Sequence, residues 1–254
     1  MRWPHYRQPF SSSCLRFLWR LLIAYGTAFG IVKFGLLFTA LKLGSPSGLT
    51  SVLLQTQVFF TIAMAHVFLA EHAGPRQQIG IAVALAGVAA IVSGAIEGAA
   101  LLPTLLVVAA AVAWAVANLV LKRAGKIDML AFTVWTSLIP PLPMLALSAA
   151  VEGTAAWANA WTHLTWLGAT AVLYLAYPVS LAGGAAWGSL LARYPAAVVA
   201  PFALLVPIIG LACGALIYSE KPATLDFVGS AMIMAGLALI LFSNRVPADT
   251  AAAH

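Results

Sequence analysis

Runs of about 20 apolar residues recur along this chain of 254 residues, and they constrain its fold more than any other feature. Each run is long enough to cross a hydrocarbon core of ~30 Å. Lipid offers no partner to backbone groups, so these runs must be helices. They are too long and too uniformly apolar for barrel strands, which alternate polar and apolar side chains. The sequence therefore predicts an all-α polytopic membrane protein, with eight crossings near residues 17–41, 46–70, 76–95, 99–121, 130–150, 165–190, 195–218 and 224–243.

The basic residues predict how the chain is oriented. The formal net charge is +6, but the 13 Lys and Arg are spread along the chain, which argues against a nucleic-acid partner. If the N-terminus is cytoplasmic, only Lys42 and Lys221 fall in external connections, and Lys33 lies within a helix. The other ten fall inside, as the positive-inside rule requires. They are Arg2, Arg7, Arg16, Arg20, Arg76, Lys122, Arg123, Lys126, Arg193 and Arg245. We therefore expect both termini in the cytoplasm.

The chain repeats itself at an offset of 149 positions. The offset pairs Pro46 with Pro195, Glu71 with Glu220, Gly80 with Gly229, and Gly87 with Gly236. Fused helical units are typical of transporters, because one half rocks against the other around a central site.

The offset also defines the units. A basic segment (1–16) precedes an incomplete first unit of three helices (17–98), a second unit of five helices (99–243) and a cytoplasmic tail (244–254). Because five is odd, the second unit enters from the opposite side, which predicts an inverted repeat.

Several residues predict packing rather than chemistry. GxxxG pairs at Gly26–Gly30, Gly184–Gly188 and Gly210–Gly214 let helices approach closely. We expect Glu71 and Glu220 to cap helices or to pair locally with Arg76 and Lys221, and Trp157 and Trp161 to anchor an external connection at the interface. Two cysteines form no framework, and no catalytic or metal motif is present. We therefore expect no enzyme, no metal and no cofactor.

Five segments resemble the EamA-like transporters of the drug/metabolite transporter superfamily, and the similarity extends from Leu22 to Phe242. The family implies ten helices in two inverted five-helix units, an inner-membrane location and export of amino acids and related metabolites. Within the family, the chain resembles exporters of cysteine and O-acetylserine most, and the comparison leads us to expect that the family's first two helices have no counterpart in it. The five segments are Ser51–Ile62 (SVLLQTQVFFTI), Trp114–Asn118 (WAVAN), Trp135–Pro141 (WTSLIPP), Trp187–Tyr194 (WGSLLARY) and Val199–Gly210 (VAPFALLVPIIG).

Polar residues within the second and fourth crossings are the first candidates for substrate binding. Gln55 and Gln57 lie mid-helix and about 200° apart, so only one of them can face a cavity. We assign Gln57 to the cavity and Gln55 to a helix–helix contact, although both amides could serve packing alone. Trp114 and Asn118 lie four residues apart on one face and could bind an amphipathic solute. Alternatively, Trp114 is an interfacial anchor.

The remaining candidates lie in the first, fifth and sixth crossings. Trp135 and Ser137 form a matched pair before a helix break at Pro140 and Pro141, and Tyr177 and Trp187 are polar positions of the sixth crossing. Lys33 is the one charge well inside a helix. It could attract a substrate carboxylate from the cavity, or it could snorkel to the interface.

Two functions follow from these features. The first is export of small metabolites such as cysteine or O-acetylserine by alternating access in the inner membrane. The alternative is a truncated, non-transporting remnant, or a subunit that requires a partner. The expected partners are a small-molecule substrate and the lipid bilayer, and a homodimer remains open.

Overall fold

The computed structural model describes residues 12–70, 74–97, 100–124, 129–183, 186, 205–220 and 222–243. These residues form helices and short connections without a strand, which confirms the predicted all-α class. The helices, numbered within this described part, are α1 (Ser12–Tyr25), a first π-helical segment (Gly26–Lys33), α2 (Phe34–Lys42), α3 (Ser47–Leu54), α4 (Gln57–Leu69), α5 (Pro75–Glu97), α6 (Leu101–Ala124), α7 (Met129–Ser137), α8 (Pro141–Glu152), α9 (Ala155–Thr162), α10 (Trp166–Tyr174), a second π-helical segment (Leu175–Gly183), α11 (Leu205–Ile217) and α12 (Thr224–Ser243).

The described helices reproduce six of the eight predicted membrane crossings. These six spans, some of them made of several numbered helices joined end to end, are long and apolar enough to cross a bilayer. The sixth and seventh predicted crossings contain shorter apolar helices, and parts of both lie outside the described residues. The six are Trp19–Lys42, Ser47–Leu69, Pro75–Ile96, Leu101–Arg123, Ala131–Glu152 and Thr224–Phe242, and the shorter helices are Trp166–Ser180 and Leu205–Ile217.

Contacts between helix ends define one face of the bundle, which we call the Ser47 face. There the Ser47 backbone donates to Glu220, and the Lys42 ammonium donates to the carbonyl of Val151. The ends of the first, fifth and seventh crossings therefore lie at the same face as the start of the second. This is the alternation that a chain threading a membrane requires.

The two helices that the offset of 149 relates, α5 and α12, pack against each other in opposite directions. Gly80 faces Gly236, and Gly87 faces Gly229. A Cβ at Gly87 would lie 2.6 Å from the Gly229 carbonyl oxygen, and one at Gly80 would lie 2.8 Å from that of Gly236. The offset pairs Gly80 with Gly229 and Gly87 with Gly236. Applied to both members of the contact between Gly80 and Gly236, it therefore gives the contact between Gly87 and Gly229. This helix pair therefore has the inverted symmetry that the sequence repeat predicts.

The repeat also places two π-helical segments at equivalent positions. The first, Gly26–Lys33, maps by the offset onto 175–182, and the second is Leu175–Gly183. A π-turn widens the helix and frequently marks a functional site. Pro178 lies inside the second segment, where its missing N–H interrupts the ladder. Pro178 thus coincides with a widened turn, and a widened turn also occurs in the first crossing.

The fifth crossing breaks between α7 and α8, as Pro140 and Pro141 predict. The first crossing packs against this break through its GxxxG pair. A Cβ at Gly26 would lie 2.7 Å from Ile139, and one at Gly30 would overlap the ring of Pro140. The predicted packing role of Gly26 and Gly30 is confirmed, while Gly184 and Gly188 lie outside the described residues.

The second crossing is not the continuous helix that we expected. It is interrupted at Gln55 and Thr56, between α3 and α4. The Thr56 hydroxyl donates to the carbonyl of Leu53 at 2.6 Å, which is a local bond that competes with the helical ladder. Gln57 therefore lies at the start of α4 rather than in mid-helix, and the two amides do not share one regular helix.

Glu220 caps a helix, but a distant one. Its carboxylate accepts hydrogen bonds from the Ser47 backbone N–H at 2.6 Å, the Ser47 hydroxyl at 2.7 Å and the Gly48 N–H at 2.9 Å. The expected local pairing with Lys221 lies outside the described residues, as does Glu71. A carboxylate at a helix N-terminus satisfies free N–H groups and complements the helix dipole. Glu220 thus ties α3 to the chain after α11 across 173 positions of sequence.

This cap predicts a pH dependence of stability. Burial raises the pKa of Glu220, but bonds from the Ser47 hydroxyl and from the backbone of Gly48 and Ser47 outweigh it, and the pKa lies below its ordinary value. The stability gained from the cap is therefore present above the unfolded-state pKa of about 4.3 and is lost as pH falls through the folded-state pKa. We expect Glu220→Gln to lower the thermal unfolding midpoint in detergent at pH 7. The midpoint of the variant should also fall less than that of the wild type as the pH is lowered. If the midpoints of the two proteins fell equally with pH, this prediction would be contradicted.

Candidate functional site

Lys33 is buried within the bundle rather than at the interface. Its side chain is only 5% exposed. The ammonium nitrogen lies 3.6 Å from the ring centroid of Phe34, 4.6 Å from that of Trp114 and 4.8 Å from that of Phe29. Snorkelling, one of the two interpretations of Lys33 above, is therefore wrong, and the reason is that three aromatic rings hold the cation inside.

Local sequence and tertiary packing both build this aromatic cage. Phe29 precedes Lys33 by one helical turn and Phe34 follows it directly, whereas Trp114 comes from α6. The rings of Phe29 and Trp114 meet edge to face at 5.8 Å between centroids. An ammonium in a membrane costs ~2.5–3.5 kcal/mol on insertion scales, and a desolvated cation–π contact returns about 2 kcal/mol. The rings can therefore offset a large part of the cost of burying Lys33.

A second polar cluster joins α4 to α6. The side-chain NH2 of Asn118 donates to the amide oxygen of Gln57 at 2.6 Å and to the hydroxyl of Thr61 at 3.2 Å. Thr61 in turn donates to the Gln57 backbone carbonyl at 2.7 Å. Gln57 and Asn118 were separate candidates in the second and fourth crossings, and the sequence gave no reason to join them.

One face of α6 brings the two clusters together. Trp114, in the cage, and Asn118, in the amide cluster, are four residues apart, which is about 6 Å along a helix axis. Lys33, Trp114, Asn118 and Gln57 therefore form one connected set of side chains from three crossings. We call it the polar centre.

A cavity of about 440 Å³ lies between the first and fifth crossings, beside the polar centre. The rings of Phe29 and Phe34, which contact Lys33, form part of its wall. Ser137, one of the candidate residues, belongs to the part of the lining that the fifth crossing supplies. The complete lining is Tyr25, Gly26, Phe29, Gly30, Phe34, Phe38, Thr133, Thr136, Ser137, Pro140 and Met144.

Among the candidates in the described part of the chain, only Ser137 belongs to this lining, and Trp135 and Tyr177 lie on the protein surface. Trp135 is 54% exposed and packs edge to face on Trp19, so the matched pair is split, with only Ser137 in the cavity wall. Tyr177 is 61% exposed, and Trp187 lies outside the described residues. Gln55 is buried at the break of the second crossing, in keeping with a packing role.

Sequence reasoning missed the rings that line the cavity. Phe29 and Phe34 look like ordinary apolar residues of a membrane helix, and only their spacing from Lys33 carried a signal. The described residues contain no group of three or more His, Cys, Asp and Glu that could hold a metal ion. The site thus offers one cation, two amides, hydroxyls and aromatic faces, which is a set for binding a solute rather than for covalent chemistry.

A helical membrane protein with an inverted helix pair and a polar centre beside a cavity has the architecture of a transporter. Residues 6–93 and 101–242 match the EamA-like transporter family. The chain belongs to this family, and it is therefore a membrane transporter rather than an enzyme.

The descriptions of curated relatives agree with this assignment. The chain is 34% identical to a "Probable amino-acid metabolite efflux pump" of Escherichia coli, over 89% of this chain and 77% of that protein. It is 35% identical to the protein of the same description in Salmonella typhimurium, over 89% and 78%. It is 29% identical to a "Probable terminal-alkyne amino-acid exporter" of Streptantibioticus cattleyicolor, over 86% and 72%. No solved structure matches the chain.

Proposed function

We propose that this protein exports amino acids or related small metabolites, of the cysteine and O-acetylserine type, by alternating access. The observation that carries the proposal is the polar centre, in which a buried cation on Trp114 and two bonded amides lie about one turn apart along α6, behind the Phe29 and Phe34 wall of a cavity of about 440 Å³. The printed descriptions of the relatives, amino-acid efflux and export, support the substrate class.

The groups of the polar centre match the chemistry of a zwitterion. Lys33 would attract the substrate carboxylate when the solute enters beside the aromatic cage. An amide carries both a donor and an acceptor. The bonds within the cluster use the NH2 of Asn118 and the amide oxygen of Gln57, which leaves the carbonyl of Asn118 for a substrate ammonium and the NH2 of Gln57 for a carboxylate. Phe29 and Phe34 would contact the apolar part of the solute.

Transport needs two states, and the fold supplies elements that support them. The antiparallel pair of α5 and α12 would serve as the axis about which the two units rock between these states. The breaks in the second and fifth crossings, together with the π-helical segments, are points at which a crossing can bend. By the distribution of basic residues, the Ser47 face is external and both termini lie in the cytoplasm of a cell with this protein in its inner membrane.

Uptake into inverted vesicles tests the proposal directly. Inside-out vesicles from cells that express the chain should accumulate labelled cysteine or O-acetylserine faster than vesicles from cells without it, and a proton gradient can be imposed or collapsed to find the energy source. The same cells should tolerate higher external cysteine. Unchanged uptake despite verified membrane expression would count against export and would favour the non-transporting alternative.

The bond between Gln57 and Asn118 predicts a coupled loss of transport. Gln57→Leu and Asn118→Leu should each lower uptake about tenfold, because each leaves the partner amide misplaced in an apolar bundle. Since both changes break the same bond, the double variant should be little worse than either single one. Ser93→Ala, which removes a hydroxyl bonded only to its own helix turn at Ala90, is the matched control. Fully additive losses would show that the two amides act independently.

A further inference from the structure

A second cavity of about 340 Å³ opens next to the first, at the Ser47 face. It lies between α2 and α8, and it shares Phe38 and Met144 with the wall of the first cavity. The two cavities are therefore consecutive spaces between the same pair of crossings. The first is walled in part by Phe29 and Phe34, which contact Lys33, and the second lies at the Ser47 face.

The second cavity carries one charge of each sign at its rim. The Lys42 ammonium is held by the carbonyl of Val151 at 2.8 Å, and the Glu152 carboxylate accepts from the Ser148 hydroxyl at 2.6 Å. All four of these residues line the cavity. Both charged side chains are exposed, and in these bonds each is held by a neutral group.

The helix α9 bonds to a residue of the rim. The indole N–H of Trp157 donates to the Ser148 hydroxyl at 3.2 Å, so the same hydroxyl links the tryptophan to Glu152. Trp157 was expected to anchor an external connection at the interface. In the structure its bond to Ser148 ties α9 to α8 beside the Glu152 carboxylate.

We propose that this second cavity is a vestibule that binds the zwitterion of an amino acid, with Lys42 on the carboxylate and Glu152 on the ammonium. The inference rests on the proposed function, and it adds a second binding step between the polar centre and the external face. A solute that has both charges can replace the neutral partners of both rim residues at once, whereas a solute with a single charge engages only one of them. The vestibule would therefore select for free amino and carboxyl groups.

Transport of three related solutes tests this selection. The probes are labelled O-acetylserine, its methyl ester, which lacks the carboxylate, and its N-acetyl derivative, which lacks the ammonium. Lys42→Gln should lower the uptake ratio of O-acetylserine to its methyl ester about tenfold, and Glu152→Gln should lower its ratio to the N-acetyl derivative by a similar factor. Lys42→Arg should retain the first preference. Arg76→Gln, which removes an exposed cation at the start of α5 far from the cavity, should leave both ratios unchanged.

A binding measurement separates the failure of the vestibule from the failure of export. Equilibrium dialysis of the purified Lys33→Met variant with labelled O-acetylserine removes the contribution of the buried cation in the polar centre. Saturable binding that Lys42→Gln and Glu152→Gln each weaken supports the vestibule even if wild-type vesicles show no uptake. Absence of saturable binding in this variant, or unchanged ratios in vesicles that do transport, would overturn it. An equal fall for all three solutes with a lowered melting temperature would also overturn it, because the two residues would then be structural.

Discussion

Replacing Lys33 with methionine is expected to abolish uptake into inverted vesicles while the protein still accumulates in the membrane. Methionine has a similar length, and its sulfur makes favourable contacts with the rings of Phe29, Phe34 and Trp114, worth about 0.3–1.5 kcal/mol. The variant also avoids the ~2.5–3.5 kcal/mol that an ammonium costs within a membrane. We therefore expect a thermal unfolding midpoint equal to or above that of the wild type.

The comparison with two further variants makes this result specific. Lys33→Arg keeps the charge but not the compact shape of the ammonium, so it should retain part of the uptake. Lys122→Met removes a cation at the exposed end of α6, and uptake should be unchanged. Full uptake by Lys33→Met would show that the buried cation plays no part in transport, and substrate binding would then have to be sought elsewhere.

The second large effect is structural. Gly87→Leu should prevent the close packing of α5 and α12, because a Cβ there already lies 2.6 Å from the backbone oxygen of Gly229, and a backbone atom cannot move aside as a side chain can. We expect a loss of stability on the order of 3 kcal/mol, which is at the upper end for an overpacked site, and poor accumulation in the membrane. Melting in detergent and the amount of protein recovered measure it.

The same packing argument applies to the symmetry-related glycine, and a glycine with free space around it serves as the control. Gly236, the residue that the offset pairs with Gly87, faces Gly80 in the same way, so Gly236→Leu should be equally damaging. Gly74 has no atom within 4 Å of an added Cβ, and Gly74→Leu should melt close to the wild type. Equal melting of Gly87→Leu and Gly74→Leu would mean that the contact between the two helices contributes little to the fold.

The candidate site was only partly predictable. Gln57, Asn118 and Lys33 were named from their polarity within apolar runs, since a polar group in lipid demands a partner. The partners themselves were not predicted. Phe29 and Phe34 carry no signal until Lys33 is known to point toward them, and Trp135 was expected at the site but lies on the surface against Trp19.

Glu220 illustrates the same limit. Its position at a helix end predicted a cap, and the structure contains one, but the capped helix begins at Ser47 rather than nearby. The break at Gln55 and Thr56 was missed for a related reason. A threonine hydroxyl bonds either to its own helix turn or to a neighbour, and the surroundings determine which.

The sequence by itself determined that the chain is a bundle of membrane helices, where those helices lie, and that two of its stretches are related by an offset of 149 positions. It could do so because lipid offers backbone N–H and C=O groups no partner, so each apolar run must form a helix. A helix satisfies these groups within the run itself, without help from the rest of the chain. Only the tertiary structure decided which faces of the helices meet, and so which polar residues share a site. Lipid is as apolar as a leucine side chain, so apolarity does not orient one helix toward another. Close contacts such as Gly87 with Gly229, and bonds such as Asn118 with Gln57, set that orientation between residues far apart in the chain.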